Sequence, residues 1–362
     1  MFGHSTVLLD ITHDPNMRMA QFGIAHDHAH DKSRVLRETD EVEFVGVYEP
    51  DKGNIERLGG QTEYEGVHWF SSKDEMLEDE SIVAIAVEGE IFDNLRFARE
   101  VVEHGKHVWL DKPAGNDLAE FREVLDIAAA RKLNVQLSYM YRYDPGFNFV
   151  VDWATSGRLG DIFSIRGRLS AAPGSADRWK LWESPGVRAG GILFIMGGHL
   201  VDIIVSILGR PERVTRFQRH DAESFSSFAE NEWTTDPSWY FNNTAAIFEY
   251  PEAMVSLEST NMELDSWESR RFEVYGTRGS VILEPFETRR GSSVRPEIRL
   301  CLDEDRDGYA KGWQTVPVPP ARRYFPGLAS LLATIRGEKP ADRTLEHEFL
   351  VQETLLRAIG LA

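Results

Sequence analysis

From Met17 onward, short apolar runs alternate with longer amphipathic stretches, a pattern that predicts parallel strands joined by helices. The strand candidates are MAQFGIA, EFVGVY, VHWF, IVAIAV, HVWL and NVQLSY. Between them, NLRFAREVVEHG and DLAEFREVLDIAAARKL repeat apolar residues at helical spacing, and Gly105 is placed to end the first. Six strands with helical crossovers predict an α/β domain, a doubly wound parallel sheet over residues 17–141. Beyond it the runs lengthen and alternate with a period of two, as in DIFSIRGRLSA, NTAAIFEY, AMVSLEST and RRFEVYGTRGSVILEPF. These predict antiparallel strands with one face covered. The apolar helix at 197–208 and the closing helices GLASLLATIRG and EHEFLVQETLLRAIG can cover that face. Residues 142–362 are therefore expected to form an α+β domain, its last helices packing back on the first domain. ESPGVRAGG (183–191) reads as a mobile loop, and residues 1–16 as an extension outside the fold.

Composition narrows the class. With 362 residues, 42% of them hydrophobic, the chain holds more apolar material than one core absorbs. Its single cysteine, Cys301, excludes an intrachain disulfide and a thiolate zinc site, and a reducing, cytoplasmic setting is the simplest expectation. Fifty-nine acidic against 40 basic residues, a net charge of -19, repel a nucleic-acid backbone. No membrane partner is expected either. The longest apolar stretch, residues 190–209, carries His199, Asp202 and interrupting glycines and reads as buried core, and the N-terminus lacks the cationic start of a secretion signal.

One stretch, FGIAHDHAHD at 22–31, sets two chemistries against each other. Imidazoles and carboxylates suit a transition metal. On a strand His26, His28 and His30 would share a face, but the apolar run ends at Ala25 and a helical pattern follows, where ligands fall three or four apart rather than two. No metal is therefore expected. A solvated polar loop is the plain alternative. The reading preferred here is a phosphate-binding turn, with Gly23, Ala25 and His28 in the three glycine places of Gly-x-Gly-x-x-Gly and Ile24 and His26 between them. Glu49, ending the second strand in VGVYEPD, supports it, because a carboxylate there accepts from the adenine ribose hydroxyls. Its charge repels the additional phosphate of NADP, so NAD is expected, with Lys52 as the opposing consideration.

At HVWLDKPAGNDLAEF an apolar strand runs into Asp-Lys-Pro, which resembles the Glu-Lys-Pro signature of the glucose-fructose oxidoreductase, inositol dehydrogenase and rhizopine catabolism (Gfo/Idh/MocA) family. The resemblance continues through LSYMYRYDPGF, GRLGDIFSIRGRL, GGHLVDIIVSILGRPERV, FEVYGTRGSVIL and the closing helices. It implies a Rossmann domain followed by an α/β domain with an open, mostly antiparallel sheet, and a nicotinamide cofactor serving sugar or polyol chemistry between them. Carried over by position, Lys112 matches the signature lysine near nicotinamide and reacting hydroxyl, and His199 the histidine that serves as acid and base. An ammonium polarises a substrate oxygen, and an imidazole exchanges protons near neutral pH. Pro113 fixes the chain directly after Lys112.

Asp202, one turn beyond His199, is expected to orient it or to cap structure, and Tyr141 and Tyr143 of MYRYD are candidate helpers. Glu88 of VEGE and Arg142 join the expected cofactor contacts. Arg178, Trp179 and Lys180, in SADRWKLWESPG, are the expected substrate contacts alongside Lys112 and His199, since aromatic faces and cationic donors suit a sugar or a carboxylate. The chain departs from the family at Ile195, where an aspartate four residues before the histidine is usual. Three outcomes are compatible with that loss: a dehydrogenase working through Lys112 and His199, a dinucleotide- and sugar-binding regulator without turnover, or a redox-assisted glycosidase or lyase. Retention of both Lys112 and His199 favours the dehydrogenase. The family's open sheet also implies a homo-oligomer, a dimer or tetramer.

Overall fold

β1 (Met17–Phe22) is buried along almost its whole length, as a strand covered on both faces must be. It forms the middle of the first domain in a computed structural model that describes residues 16–172, 185–219, 241–289 and 291–362. The chain continues through α1 (Ala29–Glu38), β2 (Val42–Tyr48), α2 (Lys52–Leu58), α3 (Lys73–Leu77), β3 (Ala84–Val87), α4 (Asn94–Glu103), β4 (His107–Leu110), α5 (Leu118–Arg131) and β5 (Val135–Leu137). The five strands pair in parallel in the order β2-β1-β3-β4-β5. Direction of winding reverses between β1 and β3, so the crevice for a ligand opens beyond their carboxyl ends.

One expected strand is missing. VHWF makes a single parallel bridge, Val47 to Trp69, with hydrogen bonds from Val47 N to His68 O (2.9 Å) and Phe70 N to Val47 O (2.9 Å). Lying half-exposed at the sheet edge, it has neither the length nor the two-sided burial of the inner strands.

A 3₁₀ turn (Met140–Tyr143) leads into α6 (Pro145–Thr155), which starts sharply because Pro145 occupies its first turn and the Asp144 carboxylate accepts from Gly146 N and Phe147 N. The second domain holds β6 (Ile162–Arg168), α7 (Pro185–Met196), α8 (Gly198–Leu208), β7 (Arg213–Arg219), β8 (Asn243–Glu249), β9 (Met254–Thr260), β10 (Arg271–Gly276), β11 (Gly279–Leu283), β12 (Glu297–Leu302), β13 (Gly312–Pro317), α9 (Phe325–Ile335) and α10 (Leu345–Ile359). Its strands form one sheet ordered β13-β12-β11-β10-β6-β9-β8-β7, antiparallel except between β6 and β9. Helices cover one face and leave the other open.

The loop expected over 183–191 is, from Pro185 on, the first part of α7, kinked at Gly191 (φ 58°, ψ -151°). A Cβ at Gly191 would stand 2.0 Å from Phe241 O, so only glycine fits. The Pro and Gly that suggest a loop here start a helix and kink it. α9 returns to the first domain, where Leu328, Leu331 and Leu332 pack with Met17, Met19, Ala86 and Trp109.

Candidate active site

Gly23 follows β1 with φ 88°, and a Cβ there would lie 2.6 Å from Gly89 N, so the turn closes only on glycine. The next amide, Ile24 N, donates to Glu49 Oε2 (2.7 Å), while Asp51 N (2.9 Å) and Asn54 Nδ2 (3.3 Å) donate to Oε1. Glu49 thus stands at the end of β2 and holds the turn in shape. α1 begins at Ala29, and its N-cap, His28, makes no side-chain capping bond, which leaves the imidazole free for other partners.

Those partners come from β4. His26 Nδ1 contacts Asp111 Oδ2, and His28 Nδ1 lies 3.0 Å from the same oxygen. Both rings sit in the turn before α1, so the two-residue spacing that an extended or helical chain would handle differently brings them onto one carboxylate. His30 is on α1 and its ring is 40% exposed. All three donor atoms of His26, His28 and Asp111 lie within 4.8 Å of one another, a set a transition metal accepts. In this turn the two-residue spacing therefore does not count against a metal; as the side chains stand, both imidazoles hydrogen-bond the Asp111 carboxylate. Asp111 lies in the field of Lys32 as well as both imidazoles, and Lys112 feels its charge in turn. Burial favours the protonated carboxyl of Asp111, but His26, His28 and Lys32 outweigh it and hold the group well below the usual range. Glu88, fully buried, is pushed up by burial and by Asp111 against the pull of Lys32.

The Lys112 amide donates to Asp111 Oδ1 (2.8 Å), which fixes the backbone at the signature residue. Its Nζ donates to Ile195 O (3.0 Å), four residues before His199. Burial lowers the Lys112 pKa. Burial, then the charges of Lys112, His28 and Arg323, drive the His199 imidazole well below its ordinary value. Its ring lies 5.0 Å from Tyr141 and 5.9 Å from Tyr139, and its Nδ1 is buried with no hydrogen-bond partner. The site therefore pairs a buried ammonium with a neutral, unoriented imidazole at the mouth of the switch-point crevice.

Several expected placements need correcting. Asp202 does not orient His199: it accepts from Arg142 Nε (3.0 Å) and Nη2 (2.8 Å) and lies 2.8 Å from His347 Nε2. Arg142 makes two further bonds, both 2.6 Å, to Glu348 on α10, so its buried guanidinium ties the domain junction together and has no free edge for a cofactor. Glu88, just beyond the carboxyl end of the central strand β3, is fully buried and paired with Lys32 Nζ at 2.6 Å, so its carboxylate is engaged inside the protein. Tyr141 gives its hydroxyl to Glu287, and Tyr143 packs against Gly327 on the α9 side. Arg178, Trp179 and Lys180 lie outside the described residues. Sequence reasoning missed Asp111, Lys32, Tyr139 and Tyr324. Asp111 stands inside the quoted Asp-Lys-Pro motif, but that it receives both histidines is a tertiary fact.

Comparison with known proteins agrees with this architecture. Residues 21–139 match the oxidoreductase family, NAD-binding Rossmann fold, and residues 155–359 match the oxidoreductase family, C-terminal alpha/beta domain. The uncharacterized oxidoreductase YhhX of Escherichia coli K12 is 25% identical over 236 residues, 64% of this chain and 63% of that protein, so the match spans less than two thirds of the relative. Glucose-6-phosphate 3-dehydrogenase of Bacillus subtilis is 24% identical over 188 residues, 50% of each chain. A solved structure from Desulfitobacterium hafniense, whose name carries NADPH dependence, superposes with a TM-score of 0.78 at 13% identity, covering 95% of both chains.

Proposed function

The chain belongs to the Gfo/Idh/MocA oxidoreductase family, and from that premise we propose that it transfers a hydride between a nicotinamide cofactor and a hydroxyl or carbonyl carbon of a sugar, polyol or related compound. The observation that carries this reading is the Lys112 ammonium bound to Ile195 O at 3.0 Å, which brings it beside His199 at the end of β4. The turn fits a dinucleotide: Gly23 closes it with a backbone no other residue adopts easily, α1 begins directly behind it, and Glu49 stands at the end of β2. Residues 23–28 and Glu49 would hold the adenosine and pyrophosphate parts. When bound, the nicotinamide supplies the hydride-accepting or hydride-donating carbon. Lys112 donates a hydrogen bond to the substrate oxygen, and His199, held neutral by burial, takes up the hydroxyl proton on oxidation or, once protonated, returns it on reduction. Lys112 and His199 are both buried, which keeps bulk water from them.

NAD rather than NADP is supported by the negative Glu49 and opposed by Lys52 at the start of α2. Calorimetric titration with both cofactors is expected to show tighter NAD binding. A sugar and polyol panel followed at the nicotinamide absorbance is expected to show turnover. Equal affinity for the two cofactors overturns the role of Glu49, and binding without any turnover replaces the dehydrogenase by a regulator of the same fold.

The open face of the second sheet supports a homo-oligomer. Phe217 (58% exposed), Met254 (56%) and Trp313 (54%) lie on that face, opposite in alternation to the buried Phe248, Val255 and Leu300. Side chains of that size on one sheet face favour burial against a second copy.

A further inference from the structure

A cavity of about 720 Å³, within the range of small-molecule sites, opens behind the tyrosines that pack on His199; neither Lys112 nor His199 lines it. Tyr139, Tyr141 and Tyr324 form part of its wall. The first two also pack on His199, and Tyr324 lies 5.7 Å from the His28 ring, so these rings link the cavity wall to His199 and to the turn before α1. The strap from Pro317 to Arg323 forms another side.

Arg323 stands in this cavity with an unusual partner set. Its Nε donates to Met140 Sδ (2.8 Å) and its guanidinium lies 5.1 Å from the Tyr324 ring centre, while among the described residues its terminal nitrogens meet no carboxylate or carbonyl oxygen. Neighbouring guanidiniums are engaged: Arg322 pairs with Glu38 at 3.0 Å and stacks on Phe325, and Arg270 pairs with Glu287 at 2.5 Å. Glu287, the carboxylate nearest in effect, is thereby occupied, since it also receives the Tyr141 hydroxyl. In a chain with 59 acidic and 40 basic residues, an arginine in a concavity with no carboxylate partner is conspicuous. Arg295, on the same wall, bonds only to the carbonyls of Ser292 and Val294.

The backbone holds Arg323 in place. Tyr324 takes φ 69°, a left-handed conformation that disfavours a non-glycine residue, and its ring is 5% exposed. Pro317, Pro319 and Pro320 fix φ in the strap leading to it. The backbone that carries Arg323 is thereby fixed before a ligand arrives, which reduces the entropy lost on binding. Its charge lowers the pKa of both Lys112 and His199, as expected of a group facing the same space.

We propose that the substrate carries an oxyanion, a carboxylate or a phosphate, held by the terminal nitrogens of Arg323 while its reacting hydroxyl lies at Lys112 and His199. This rests on the reading of the site as a sugar or polyol dehydrogenase. The planar guanidinium matches either oxyanion with two parallel hydrogen bonds. A net charge of -19 repels anions at long range, so a local cation has to supply the selectivity.

The test titrates the purified protein calorimetrically with glucuronate, glucose 6-phosphate and glucose. One of the two anionic ligands is expected to bind about 10- to 100-fold more tightly than glucose, the worth of a charged hydrogen bond, and which one it is separates carboxylate from phosphate. Arg323→Gln is expected to remove the preference, Arg323→Lys to keep part of it, and Arg213→Gln on the distant edge strand to leave it whole. Independently of any variant, inorganic phosphate should compete with the preferred ligand on the wild type. Equal binding of all three ligands, or a preference that survives Arg323→Gln, overturns the proposal. Because affinity is read without turnover, charge-selective binding with no nicotinamide reduction overturns only the dehydrogenase reading, and turnover indifferent to charge overturns only this one.

Discussion

His199 lacks the carboxylate that would orient it, and Ile195 contributes a main-chain carbonyl to Lys112 where an aspartate would have faced the imidazole. If His199 nonetheless moves the proton, His199→Ala should lower turnover by about 10² to 10⁴ while leaving NAD affinity nearly intact, as steady-state kinetics and calorimetry together would show. Ile195→Asp should raise the His199 pKa and shift the acid limb of the pH–rate profile upward, once folding has been checked, because a buried unpaired carboxylate is costly. The histidines also set a stability window. Burial depresses His28 and His199 well below their ordinary value and brings His107 to about 4, so the unfolded chain binds more protons on the acid side. Stability should accordingly be level above about pH 7 and fall below about 6.5, by up to about 1.4 kcal/mol per pH unit for each histidine, until the folded pKa values are reached. Denaturant midpoints taken across that range check the sign, and a midpoint that rises on acidification contradicts it.

At the scale of elements, legibility followed the number of covered faces. β1, β3 and β4 read directly because burial on both sides demands continuous apolar runs, and β8 and β9 because one covered face imposes strict alternation. VHWF failed because an edge segment needs no such coverage, and Pro185 to Gly191 because proline and glycine mark helix starts and kinks as well as loops. Lys112 and His199 are legible as motif residues. Their surroundings are not: Arg142, expected at the cofactor, binds α8 through Asp202 and α10 through Glu348, partners 60 and 206 residues away. Removing one member of such a buried network leaves uncompensated charge, about 3 to 5 kcal/mol in comparable cases. Arg142→Met should therefore destabilise the protein by about that amount in chemical denaturation, with the loss appearing equally with and without NAD. A variant of wild-type stability that merely binds NAD more weakly would return Arg142 to the cofactor site.

Across the whole molecule, the two domains meet along the site's own residues. The segment after β4 supplies Asp111 and Lys112, α8 supplies His199, and the strap before α9 brings Arg323 and Tyr324 to the adjoining cavity. Any shift of one domain on the other thus changes the distance between ammonium, imidazole and guanidinium at once. The open sheet is continuous with the framework that holds α8, since β6 and β9 back its covered face through Gly167 and Leu257, both against Leu200 or its neighbours. The face also carries charged side chains, Arg166, Glu258, Arg271 and Arg299, and a second copy covering it would stiffen the sheet beneath His199. If a second copy covers this face, replacing Met254 or Trp313 by glutamate places a charge in the contact, and in a symmetric interface each substitution is encountered twice. Light scattering behind size exclusion should then show the wild type at two or four times the mass of one chain and each variant shifted toward the monomer. The fold should remain intact, because neither side chain belongs to the buried face. A wild type that is monomeric at micromolar concentration, or variants that keep its assembly, would remove the open face from the interface.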